Sequence, residues 1–227
     1  HIALHRQHGS KASWDRTFVF GIVLFHMDQC EAALGIFFKS LESYGSVFHT
    51  DDELCLAQCY TSIGHVYEHQ GRLKAAMAMH QKALSVRLKR FGGAHHQELA
   101  VSYLDIGRTF LAQGLFSKAR ELYSKALDVR TQSLGDTNPL VGEVYRALSK
   151  VHSTQGHYDE ALRLLQRDLS ITTAAHAGNE MHEECAIIYL ELGSVFESQG
   201  NTKKALALYK KTLGLFALGS MEKARVI

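Results

Sequence analysis

Apolar and small residues along this chain recur at intervals of three and four, the period of one helix face and not the alternation of a strand. The stretch YLDIGRTFLAQGLFSKARELYSKALDVR, Tyr103 to Arg130, shows it most clearly. Tyr103, Gly107 and Phe110 mark the packing face of one predicted helix; Ala119, Tyr123 and Ala126 mark that of a second. Gly114 marks the turn between them, and the small Gly107 and Ala119 let two backbones approach closely.

The same spacing recurs along nearly the whole chain. Gly71, Gly114, Gly156 and Gly200 follow one another at 43, 42 and 44 residues. The copy around Gly71 reads Tyr60, Gly64, Tyr67, Ala76, Ala83, with intervals identical to those around Gly114. Around Gly156 it loosens to Tyr145, Ser149, His152, Ala161, Asp168, and around Gly200 it reads Tyr189, Gly193, Phe196, Ala205, Thr212. A weaker copy opens the chain with Thr17, Gly21, Leu24, Ala33 and Ser40, where Asp28 replaces the turn glycine. Self-similarity at such a period signals a solenoid of helix-turn-helix units, in which each pair buries its apolar faces only by stacking on the next. The expectation is an all-α chain of about five such units, near 14–47, 57–90, 100–133, 142–175 and 186–219, forming one solenoid over 13–227. Residues 1–12 read as the tail of a preceding repeat, and a chain opening on His1 reads as a piece of a longer protein. Tyr67, Phe110, Tyr123, Phe196 and Tyr209 are expected in the core between helices. Gly92 and Gly135 are expected to stop second helices, and Asn138 to start one with Pro139 in its first turn.

Composition agrees with this reading. The 227 residues are 46% hydrophobic and 21% charged, ordinary for a soluble protein, and the single proline favours helix throughout. A net charge of +2 calls for neither nucleic acid nor an anionic membrane. No apolar run approaches the roughly 20 residues of a membrane span, and no signal-peptide pattern opens the chain. Cys30, Cys55, Cys59 and Cys185 lack the spacing of a disulfide framework, which points to a reducing, cytoplasmic location.

The repeat resembles the tetratricopeptide repeat, in its longer form of about 42 residues found in kinesin light chains and nephrocystin-3-like proteins. That subclass carries a connector resembling A-L-x-I-R, L-G and H-P-x-V-A. Ala126-Leu127-Asp128-Val129-Arg130, Leu134-Gly135 and Asn138-Pro139-Leu140-Val141 follow it, and Ala83-Leu84-Ser85-Val86-Arg87 with Phe91-Gly92 follow it without the proline. The resemblance implies a right-handed superhelical solenoid whose first helices line a concave groove that grips a peptide or a partner helix. By the spacing that buries Tyr103, Gly107 and Phe110, the groove-facing residues are Leu104, Asp105 and Arg108. Their counterparts are Thr61, Ser62 and His65; Arg146, Ala147 and Lys150; and Leu190, Glu191 and Ser194. Kinesin light chains often carry asparagines along this surface; Ser62, Asp105, Ala147 and Glu191 depart from that pattern, as does the absence of repeated Lys/Asn carboxylate clamps. Arg108, Arg146 and Lys150 form a basic centre suited to a carboxylate, unless Asp105 and Glu191 neutralise it. The expected ligand carries acidic and apolar residues and docks beside Leu104 and Leu190.

Candidate chemistry changes this picture little. His65-Val66-Tyr67-Glu68-His69 matches the H-x-x-E-H pattern of inverted zinc proteases, but no further ligand is fixed by spacing. Cys55, Cys59 and His65 offer thiolate and imidazole to zinc, yet cysteine is equally a small buried hydrophobe. His95-His96 and His182 fall between units and are expected to cap or solvate helix ends. No phosphate loop, G-x-S-x-G or C-x-x-C pair is present, so no enzyme, metal or cofactor is assigned. The reading is a protein-interaction scaffold without catalysis, binding another protein. Self-association is the alternative, and a metal-dependent hydrolase at His65 to His69 the remote one.

Overall fold

The computed structural model describes residues 2–47, 53–92, 96–180 and 182–225, with the backbone alone for 2–13, 44–47, 183 and 216–225. Among the described residues there are ten helices and no strand: α1 (Ile2–His26), α2 (Cys30–Val47), α3 (Glu53–His69), α4 (Leu73–Phe91), α5 (Gln97–Ala112), α6 (Phe116–Leu134), α7 (Pro139–Thr154), α8 (Tyr158–Ala175), α9 (Glu183–Ser198) and α10 (Thr202–Arg225). The protein is an all-α helical repeat solenoid. Residues 2–12, read from the sequence as the tail of a preceding repeat, lie within α1. The chain divides into two compact units, His1–Leu115 and Phe116–Ile227.

The turn glycines explain the pairing. Gly71, Gly114, Gly156 and Gly200 all adopt positive φ, between 71° and 80°, a left-handed conformation that costs glycine nothing. Asp28, which replaces that glycine in the first copy, adopts the same conformation at φ 61°. Aspartate is among the few side chains that tolerate it.

In the first unit α1 packs on α2 and α3 on α4, and α2–α3 and α4–α5 join successive pairs. Leu24, Ala33, Phe37, Ile63, Val66 and Ala76 form its core. The residue nine positions after the turn lies against the small residue seven before it: Phe37 on Gly21 and His80 on Gly64 here, Tyr209 on Gly193 in the second unit. In that second unit α7 packs on α8, α9 on α10, α6 on α7 and α8 on α9, around Leu165, Cys185, Ile188, Tyr189 and Val195. Of the expected core aromatics, Tyr67 and Tyr123 are buried, while Phe110, Phe196 and Tyr209 are only half-buried. Tyr209 is held at the surface by a 2.7 Å hydrogen bond donated to Glu197.

The arginines of the two connectors are buried. Arg87 donates to Glu98 at 3.0 Å, Thr61 at 3.1 Å and Ser102 at 2.8 Å, reaching from α4 to α3 and α5. Arg130 reaches from α6 to Glu143 of α7 at 2.9 Å and to the Leu140 carbonyl. Asn138 caps α7 by accepting from the Leu140 N–H, with Pro139 in the first turn. His96 and His182 cap α5 and α9 with ring nitrogens that accept from Glu98 and Glu184 N–H groups; His95 lies outside the described residues. Gly92, at φ 63°, ends α4 and donates to the Leu88 carbonyl. No helix among the described residues is long and apolar enough to cross a membrane.

Candidate functional site

The residues expected to face the groove divide between the units: Ser62, His65, Leu104, Asp105 and Arg108 in the first, Arg146, Lys150, Leu190, Glu191 and Ser194 in the second. In the first unit His65, Asp105 and Arg108 form one polar network. His65 Nε2 lies 3.0 Å from Asp105 Oδ1, and Arg108 bonds the same carboxylate at 3.0 Å and Glu68 Oε2 at 2.8 Å. Thr109 donates to the other oxygen of Glu68, and His80 Nε2 sits 3.5 Å from it. Asp105 is only 4% exposed, so it is a buried partner of His65 and Arg108 and not an open groove carboxylate. Burial pulls Asp105 upward, but the hydrogen bond and charge of His65, with Arg108, outweigh it and hold the carboxyl below its ordinary range. Glu68 is likewise held low: burial opposes, and His80, Arg108 and Thr109 prevail. Thr61 is buried and committed to Arg87, while Ser62 and Leu104 are half-buried.

In the second unit the arginine is also spoken for. Arg146 Nε stands 3.1 Å from Asp168 Oδ2, a fully buried carboxylate on α8. Both arginines of the supposed basic centre are therefore neutralised within their own units, by Glu68, Asp105 and Asp168; of these only Asp105 was expected in that part. Burial pushes Asp168 up to about 6 despite Arg146 and Thr172, and pushes Glu191 up to about 7 despite Arg146 and Lys150. Lys150 and Ser194 are exposed, and Ala147 is half-buried. Lys150, Glu191 and Ser194 line one narrow crevice of about 20 Å³ with Ser149, Ser153 and Leu165. Leu190 is 48% exposed and Ile187 47%. Ile187, Leu190, Glu191 and Ser194 fall at i, i+3, i+4 and i+7 of α9, so an apolar strip adjoins the crevice.

The unforeseen residues carried a signal, since each breaks the repeat. His80 stands where other copies have Phe37, Tyr123 and Tyr209. Asp168 stands where Ala83 and Ala126 recur, and Gly142 faces it where Ala57, Ala100 and Ala186 recur. A Cβ at Gly142 would collide with the Asp168 carboxylate, so the two departures are one packing solution.

The residues of the two metal-like sequence matches separate. The two histidines of the H-x-x-E-H match turn to different partners: His65 to Asp105, His69 to Cys30 Sγ at 3.5 Å and Asp28 at 3.7 Å. Cys59 is buried beside Trp14 with Cys55 packed against it, and burial, with the Cys55 charge, pushes its thiol to about 12. Such a thiol is an inert core residue.

Comparison with known proteins agrees with this architecture. Profiles described as Tetratricopeptide repeat match residues 17–89, 63–130, 98–174 and 146–220. Among curated proteins none matches. Among solved structures the chain is similar to BtubC (BKLC) from P. vanneervenii, with TM-score 0.66, 19% identity, and 94% of this chain and 92% of that one covered. It is similar to a Podosopora anserina kinesin light chain of nearly identical TPR-like repeats, with TM-score 0.69, 15% identity and coverage of 94% and 98%. It is also similar to the Rap conjugation gene regulator of the plasmid pLS20, solved in complex with the Phr* peptide, with TM-score 0.74, 15% identity, and 94% of this chain on 56% of that one. With profile matches running from residue 17 to residue 220, the chain belongs to the tetratricopeptide repeat family.

Proposed function

We propose that this chain is a protein-interaction scaffold that docks a peptide or partner helix, without catalysis, on the first helices of its repeats. The observation that carries the reading is the exposed α9 face in the second unit, where Ile187 and Leu190 share a face with Glu191 and Ser194, beside Lys150 of α7. Apolar anchors beside a few polar groups are the usual means of gripping an amphipathic or extended segment. The Rap regulator solved with the Phr* peptide supports the same class of role. Because Asp168 already holds Arg146, exposed Lys150 is the cation offered to an acidic ligand group, with Leu190 receiving an apolar one. In the first unit Leu104, Ser62 and the exposed edge of Arg108 offer a second, independent contact. A cytoplasmic location suits this role.

The test is selection of peptides from a random displayed library, followed by affinity measurement on the winners. Acidic-apolar sequences are expected, with affinity falling about tenfold or more in Lys150→Glu and Leu190→Ala, each loss being roughly 1.4 kcal/mol. Selected peptides that bind both variants as tightly as the parent would remove this site. Self-association is a second reading, favoured by Phe20 and Val23 on one face of α1 and Met27 in the turn that follows it, 53%, 45% and 61% exposed. Light scattering over a concentration series distinguishes them: growth in mass that Phe20→Glu abolishes supports assembly, and constant mass rejects it.

A further inference from the structure

His80 is the polar side chain that the packing explains least. It is 1% exposed, on α4, in a place where other copies put Phe37 or Tyr209, and neither ring nitrogen has a hydrogen-bond partner. Leaving a buried polar atom unmatched costs about 1–3 kcal/mol of stability, so a purely packing role favours phenylalanine or tyrosine here. A second buried atom in the same place is also unpartnered, Asp105 Oδ2 on α5. His65 of α3 completes the group: one donor atom each from His65, His80 and Asp105 lie within 4.8 Å of one another. Glu68 supplies a fourth donor atom, an oxygen 3.5 Å from His80 Nε2.

We infer that His65, His80 and Asp105, with Glu68 alongside, bind one divalent transition-metal ion of the zinc class. Two imidazoles and two carboxylates are a donor set that suits zinc, cobalt or nickel better than magnesium or calcium, which favour oxygen alone. The ion takes the place of the proton that His65 Nε2 shares with Asp105 Oδ1, and draws the unpartnered His80 nitrogen and Asp105 oxygen inward to its own distance. Charge favours it as well. Glu68 and Asp105 bring two negative charges against the single positive charge of Arg108. Arg108 holds both carboxylates from the outer side, at 2.8 and 3.0 Å, as an orienting partner. Side-chain exposures of 35% for His65 and 50% for Arg108 leave a path from solvent. The ion ties α3, α4 and α5 together, so the site is structural, and it stands whether or not a peptide docks on the second unit.

The test is a cobalt(II) titration of the whole chain after chelation and desalting. One equivalent is expected to bring up the visible absorption of a low-coordinate ion, and zinc to displace it and raise the melting temperature. His80→Phe is expected to fold, since Phe37 occupies the same place against Gly21. It and Asp105→Asn should each lower metal affinity by at least about tenfold and abolish the zinc-dependent shift. His176→Ala, in a partly exposed cluster with His182 and Glu184, should change neither. Unaltered cobalt bands and zinc shift in both His80→Phe and Asp105→Asn would overturn the assignment, as would a parent chain showing neither signal.

Discussion

Gly64 and Gly35 are both helical glycines, yet the same substitution at each should act in opposite directions. A Cβ on Gly64 would enter the space of the buried His80 ring, whereas one on Gly35 meets nothing within 4 Å. Gly64→Ala must displace a fully enclosed side chain and should destabilise by about 1–3 kcal/mol. Gly35→Ala, on the exposed side of α2, should stabilise by roughly 0.5–1 kcal/mol through helix propensity alone. Urea midpoints of the two variants, measured side by side, decide it; equal shifts of one sign would show that contact with His80 is not what requires Gly64. The need for a small residue at position 64 was legible in the sequence, because Gly21, Gly107 and Gly193 repeat it. That its neighbour is an unpartnered histidine was not, because the spacing pattern treats His80 as one more ring.

Between elements, the buried arginines do what apolar stacking alone does not: they fix how one helix pair meets the next. Arg87 links α4 to both α3 and α5 through Thr61, Ser102 and Glu98. Arg87→Met keeps the apolar stem but leaves two hydroxyls and a carboxylate without their donor. A loss of about 3 kcal/mol is expected, discounted little because Arg87 is 2% exposed. It should appear as a lower urea midpoint with an unchanged slope. Asn138→Ala removes one cap from α7 and should cost only about 1 kcal/mol. If the cap variant proved the more damaging, the arginine's role as a bridge would be wrong. Both positions belonged to the connector that resembles A-L-x-I-R and H-P-x-V-A, so their place in the repeat could be read early. Their burial and partners could not, since those lie on other helices.

Across the whole molecule, the second unit carries two carboxyls whose pH behaviour opposes that of ordinary paired acids. Burial raises Asp168 to about 6 and Glu191 to about 7, above the roughly 4 of an unfolded carboxyl. The folded chain therefore holds protons that the unfolded chain has released, and stability falls as pH rises from about 4 to about 7, then levels. Each shift taken singly corresponds to about 3 kcal/mol, and the Asp168 charge adds to burial in raising Glu191, so the sum is smaller. Equilibrium urea unfolding between about pH 5 and pH 8 should show this decline, with a shallower slope in Asp168→Asn; stability that rose over the window would contradict it. The sequence by itself determined the helices, their turns and the repeat, because a helix face is a local spacing and each copy states it again. It determined less about what the exposed face can bind. Arg108 and Arg146 looked like free cations, and only the tertiary structure set Glu68, Asp105 and Asp168 against them. Only it joined His80 to His65 and Asp105 across α3, α4 and α5. Charge pairing and ligand geometry act through space within a few ångströms, and a repeat pattern records only which residues recur.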